Sequence, residues 1–195
     1  MSTPGRLEHQ LDVTYRYFSH HIRTCTSVVV AMLDVVAEGL TDDSMTAMIM
    51  ESGYLLDIYD RGMSVCFNHI LGKTHETEIE QVDIGHLLEL YIKNAVSEET
   101  PAEIIHNIEG MHLRCDAYSF KSIFQILCQE GLASAKKQLR INRSGSTLSI
   151  SPDNGFNEVQ QIFEIFAEVL KKSGIIMEFD KTSITLRFTD ESIDS

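Results

Sequence analysis

Residues 18–26 read Phe18-Ser19-His20-His21-Ile22-Arg23-Thr24-Cys25-Thr26 and lie inside a long stretch of helical periodicity. Counting apolar positions outward from them gives Leu11, Tyr15, Phe18, Ile22, Cys25, Val29, Met32 and Val36, a 4-3 alternation sustained over several heptads. This predicts one amphipathic helix from about Leu7 to Glu38, closed by Gly39. His20 falls on position f of the repeat, farthest from the seam, so its imidazole is expected to face water while Phe18 and Ile22 anchor the helix in a core. A side chain placed so is within reach of another protein. His21 falls on position g, beside the seam, where packing or a hydrogen bond at the edge of a bundle is expected.

A second helix is expected almost at once, because Leu40-Thr41-Asp42-Asp43-Ser44 offers several N-cap residues. Its seam is Met45, Ile49, Leu56, Tyr59, Met63, Cys66 and Ile70, with Ser52 in the remaining slot. Two long helices joined by so short a loop must run antiparallel. A lone hairpin cannot bury two full seams, so a four-helix bundle built by a homodimer is expected.

Between Gly72 and Gln81 the pattern breaks into the polar stretch Lys73-Thr74-His75-Glu76-Thr77-Glu78, read as a domain boundary. It divides a hairpin domain, 1–74, from a second domain, 79–190, and an acidic tail, 191–195, expected to fray. The second domain alternates helices and strands. Helices are predicted over Ile84–Ala95, Tyr118–Lys137 and Asn157–Lys172, the last ended by Ser173-Gly174. Strands are predicted over Ala102–Ile108, Met111–Arg114, Gln138–Arg143, Thr147–Ser151, Ile175–Phe179 and Ser183–Phe188. The fold class is therefore α+β.

Hydrophobic residues make up 43% of the 195 positions and charged ones 23%, an ordinary globular balance. The net charge of -13 excludes a nucleic-acid surface, which needs clustered Lys and Arg, and disfavours an anionic membrane. Met1 to Gln10 is polar, and the apolar run Val28–Leu33 is cut by Asp34, so neither a secretory leader nor a membrane span is expected. Cys25, Cys66, Cys115 and Cys128 have no CxxC spacing and read as reduced core residues of a cytoplasmic protein. Neither HExxH nor a His/Cys cluster occurs, so no metal site is predicted.

Taken together, the order of elements resembles the catalytic core of bacterial sensor histidine kinases. That core is a dimeric helical hairpin carrying a phosphoacceptor histidine, followed by an ATP-binding α/β sandwich of the gyrase, chaperone and kinase type. The histidine box of that family, Phe-x-His-Glu-Leu-Arg-Thr-Pro-Leu, is matched by Phe18, His20, Ile22, Arg23 and Thr24. Its acidic residue is His21 here, and its proline is Cys25. The asparagine box aligns with Asp116 through Gly131, but the asparagine places hold Ile126 and Glu130, or Gln125 and Gln129 with the register slipped by one. Asp153-Asn154-Gly155 is similar to the box whose Asp reads adenine, with Asn157 in place of its second glycine. The phenylalanine box, ATP lid and second glycine box have no counterpart, since the chain enters a helix immediately.

The resemblance implies His20 as the phosphoacceptor and Glu130, Asp153 and Gly155 as a vestigial nucleotide site. It points to those family members that kept the kinase shape and relay phosphoryl groups between response-regulator receiver domains. Such a relay needs an exposed imidazole and a docking surface, for which Arg16, His21, Arg23, Thr24 and Ser27 are the candidates. No cofactor is expected to bind tightly, because the receiver supplies both the aspartate and the Mg²⁺. Two further readings remain open: a non-catalytic pseudokinase that regulates a kinase or response regulator, and a divergent active kinase. An exposed histidine on an amphipathic helix is most often only a surface residue, and it is the FxHxIRT context that distinguishes this one.

Overall fold

The computed structural model describes residues 4–39, 42–73, 79–96, 100, 102–157, 161–189 and 193–194. The two predicted seams fold as α1 (Pro4–Ala37) and α2 (Asp43–Ile70), packed along one another. Gly39, at φ +81°, closes the first helix, and the Asp42 carboxylate caps the second by accepting from the Met45 amide at 2.8 Å. The linker residues 74–78 and the loop residues Leu40 and Thr41 lie outside the described residues.

The rest of the chain runs β1 (Ile79–Asp83), α3 (Ile84–Ala95), β2 (Glu103–His106), β3 (His112–Asp116), α4 (Ala117–Ser134), β4 (Gln138–Ser144), β5 (Thr147–Pro152), α5 (Ile162–Lys171), β6 (Ile175–Phe179), β7 (Ile184–Phe188) and β8 (Ile193–Asp194). A five-stranded sheet has the order β2-β4-β5-β7-β6, in which only β2 and β4 run parallel. A smaller sheet, β1-β3-β8, is antiparallel throughout. The β4–β5 hairpin turns at Gly145-Ser146, with Gly145 at φ +59°, as the Ser-Gly-Ser signal predicts.

Two stretches depart from expectation. Residues 79–83, at the start of the second domain where no strand is predicted, form one, because the alternating Ile79-Glu80-Gln81-Val82-Asp83 pairs with β3 from Ile79 opposite Asp116 to Asp83 opposite His112. Ile193 and Asp194, read as part of a fraying tail, pair with Leu113 and His112 on the other side of β3. An open strand edge was available to both.

Of the heptad positions of α1, Phe18 and Cys25 are buried within the single chain, whereas Tyr15 and Val36 are exposed on it. Burial extends off the seam to Val13, Thr14 and Tyr17, and the reason lies in α4 and α5, which cover the half of the hairpin near the second sheet from a direction a two-helix seam does not anticipate. Helix α4 lies between α2 on one side and β4 and β5 on the other, and is buried nearly all round. One hydrophobic core consequently runs from Phe18, Ile58 and Cys66 through Ile123, Phe124 and Leu127 to Ile150 and Leu186. All four cysteines are free and buried, and burial pushes the Cys115 thiol up to about 12.

The approach of α2 to α4 depends on Gly62, where an added Cβ would overlap Ile126 Cδ1 and press on the Phe18 ring. Gly62→Leu is expected to destabilise the protein by about 1–3 kcal/mol through overpacking. Urea unfolding reads this as a lower midpoint, and an unchanged midpoint would mean that the two helices are not held this close.

Candidate functional site

The site is built on the middle of α1. Phe18 is fully buried against Phe166, with ring centroids 6.4 Å apart, and Ile22 packs against the core, so the turn carrying residues 18–22 is fixed on its inner side. His20 points the other way and is exposed. Its ring lies edge-on to that of His21, centroids 5.4 Å apart.

The neighbouring candidates share this surface to different degrees. Arg16 is exposed and already bonded to Asp12 one turn back, at 2.9 Å. A surface pair of this kind is worth little and exchanges partners readily. Arg23 and Ser27 are exposed, and among the described residues Arg23 forms no ion pair. The Thr24 hydroxyl donates back to the His20 carbonyl oxygen at 3.0 Å, so it reaches a partner only by turning away from its own helix.

His21 is half buried between two tyrosines, stacked on Tyr59 at 4.4 Å with an interplanar angle of 15° and tilted against Tyr17 at 4.5 Å. Its Nε2 lies 3.5 Å from the Glu130 carboxylate on α4, which also accepts a 2.6 Å hydrogen bond from the Tyr17 hydroxyl. Burial, and then the proximity of His20, pushes the His21 imidazole down to about 4. Burial likewise raises the Glu130 carboxyl, an effect opposed by the Tyr17 bond. Both groups are thus driven toward their uncharged forms by the same loss of water.

Glu130, Asp153 and Gly155 are not brought together. Glu130 faces α1, whereas the Asp153 carboxylate accepts from the Lys136 and Lys137 amides at 2.9 and 3.1 Å and ties the end of α4 to the end of β5. Gly155 serves a tight turn at φ +71°, where a side chain would meet the Lys181 carbonyl oxygen. The other asparagine-box places are also occupied with structural work. Gln125 Nε2 donates to the Tyr54 hydroxyl at 2.6 Å, and the Tyr91 hydroxyl donates to Gln129 Oε1 at 2.6 Å. The roles of Tyr17, Tyr54 and Tyr91 were not read from the sequence. The available signal was the run of polar residues in an otherwise apolar helix, since buried polar groups require partners.

Among the described residues, no group of three or more His, Cys, Asp or Glu is arranged to hold a metal ion, and no helix is long and apolar enough to cross a membrane. Between its ordinary value near 6.5 and about 4, position 21 binds a proton in the unfolded chain but not in the folded one, so this residue draws stability down as the pH falls through that window. The raised Glu130 carboxyl acts in the opposite sense. His21→Gln should therefore lose less stability than the parent on acidification across that range. Thermal unfolding at stepped pH tests this, and identical acid slopes would rule out a buried neutral His21.

Histidine kinase AdeS of Acinetobacter baumannii superposes with a TM-score of 0.57 at 10% identity, over 87% of this chain and 97% of that one. The cytoplasmic segment of histidine kinase QseC superposes with a TM-score of 0.55 at 8% identity, over 68% and 94% of the two chains. No protein-family model matches the sequence, and no curated protein matches it. Likeness at such identities speaks for the fold and not for the chemistry. A long helical hairpin followed by an α/β unit with a mixed sheet gives this chain a histidine-kinase-like core fold.

Proposed function

We propose that the protein is a histidine phosphotransferase of a bacterial two-component phosphorelay, cytoplasmic and homodimeric, in which His20 exchanges a phosphoryl group with receiver aspartates. The observation that carries this reading is the exposure of His20 on a turn anchored from behind by Phe18 and Ile22. In the step, an unprotonated imidazole nitrogen forms a bond to phosphorus as the bond to the aspartyl oxygen breaks, and the carboxylate leaves. The receiver brings the Mg²⁺, and the chain contributes nucleophile and docking face, with Arg16, Arg23, Thr24 and Ser27 exposed on α1 before and after His20. The residues proposed for each unit are 1–74 for the phosphoacceptor hairpin and 79–190 for the degenerate ATPase-like part. An autokinase reaction is disfavoured, because the four asparagine-box places on α4 face helices: Gln125, Gln129 and Glu130 bond to tyrosines, and Ile126 packs against Gly62.

A receiver domain charged with radiolabelled acetyl phosphate should label the protein, and His20→Ala should abolish the label. Persistent labelling of that variant would remove His20 from the role. A partner that binds both forms without transfer would favour the non-catalytic pseudokinase reading.

Dimerisation is supported by an apolar groove of about 640 Å³ along α1, lined by Tyr15, Ile22, Val30 and Met63 among others. Tyr15 is 60% exposed, Val30 51% and Leu33 52%, more apolar surface than a lone hairpin would leave in water. Val30→Glu is expected to shift the protein from dimer to monomer in sedimentation equilibrium. A parent protein that sediments as a monomer would refute the bundle.

A further inference from the structure

Tyr17 and His21 are four residues apart and so occupy one stripe of α1, the stripe turned toward α4. The turn between them carries His20. Both side chains converge on a single oxygen, Glu130 Oε1, at 2.6 Å from the Tyr17 hydroxyl and 3.5 Å from His21 Nε2. Tyr59 closes the cluster by stacking on His21, and Tyr17 packs edge-on against Phe18 and Phe166. Rotation of α1 about its axis, or sliding along α4, would break the Tyr17 bond and unstack His21 together.

Glu130 is an expensive residue for a merely adhesive contact. It is 9% exposed, in a molecule that already carries a net charge of -13. An apolar side chain of similar volume would pack the same gap without burying an ionisable group. What the carboxylate adds is direction, because a short bond to a hydroxyl on a neighbouring helix fixes angle as well as distance.

We propose that Glu130 is a positioning residue for His20: from the α/β unit it holds Tyr17 and His21, and through them the angle at which α1 presents the imidazole. This rests on the reading of His20 as phosphoacceptor. The second unit of the chain then acts on the reaction without touching the reacting atoms, by clamping the helix that carries them.

The test compares the full-length parent protein with Glu130→Gln, Glu130→Ala and Tyr17→Phe, using the acetyl-phosphate-charged receiver and, separately, amide hydrogen exchange over residues 18–24. Glu130→Ala that remains cooperatively folded should transfer more slowly at saturating receiver by on the order of tenfold or more, as expected when a reacting group loses its alignment. Its half-saturating receiver concentration should move by less than about threefold. Glu130→Gln, whose amide oxygen still accepts from Tyr17, should recover most of the rate, whereas Tyr17→Phe should resemble Glu130→Ala. Exchange over 18–24 should quicken in Glu130→Ala and Tyr17→Phe. If Glu130→Ala does not fold, Tyr17→Phe and Glu130→Gln carry the same comparison.

A folded Glu130→Ala or Tyr17→Phe that transfers at the parental rate, or whose defect lies wholly in half-saturation, overturns the proposal. If the parent protein is not labelled at all, the phosphotransferase reading fails by itself. Unchanged exchange over 18–24 would then show separately that Glu130 does not hold this turn.

Discussion

Helix α4 must satisfy polar side chains on a rod that water barely reaches, and much of the molecule follows from how it does so. Gln125, Gln129 and Glu130 each take a tyrosine hydroxyl, and the three tyrosines come from three different helices: Tyr54 on α2, Tyr91 on α3 and Tyr17 on α1. An unpaired buried amide or carboxylate costs more than a made hydrogen bond returns, so these bonds act less as glue than as conditions on where each helix can sit. Apolar packing brings the helices together, and the hydroxyls select one arrangement among those it would allow.

That arrangement divides the hairpin into unequal halves. The half near the second sheet is tied to α4 and α5 by Phe18, Ile58, Tyr59 and Cys66, and by Glu168, which bonds to Arg6 and Gln10 from α1 and lies 3.4 Å from His69 on α2. The far half leaves Val30, Leu33 and Met48 exposed. His20 lies near the junction, with one side of its helix held by the second unit and the other open. The His20 side chain in this setting has an anchored base and an unobstructed approach.

Local patterning controls the hairpin and its turns, whereas long-range packing decides which faces are buried and which short strands pair. Gly39, Asp42, the Ser-Gly-Ser turn and the two helical repeats declare themselves through chemistry that acts within a few residues, and the helices of the hairpin were placed accordingly. Tyr15 and Val36 stay exposed on the single chain, and a heptad count gives no sign of the further burial at Val13, Thr14 and Tyr17, because α1 meets α4 and α5 as well as α2. Strands β1 and β8 are short, and their pairing depends on an edge of β3 that no local signal reveals. Position 130 was noticed as a departure from a nucleotide-binding pattern. That its carboxylate answers Tyr17 and His21, more than a hundred positions earlier, could not be read without the fold.

That distance along the chain has a consequence for synthesis. Tyr17 and Glu130 are separated by 113 positions, and Arg6 and Glu168 by 162, so the contacts that fix α1 close long loops. A ribosome delivers the hairpin before α4 and α5, and its inner face, with Phe18, Ile58 and Cys66, must wait for them before it is covered. A fold that clamps an early helix with later ones thereby keeps that face open to water until the α/β unit has been made.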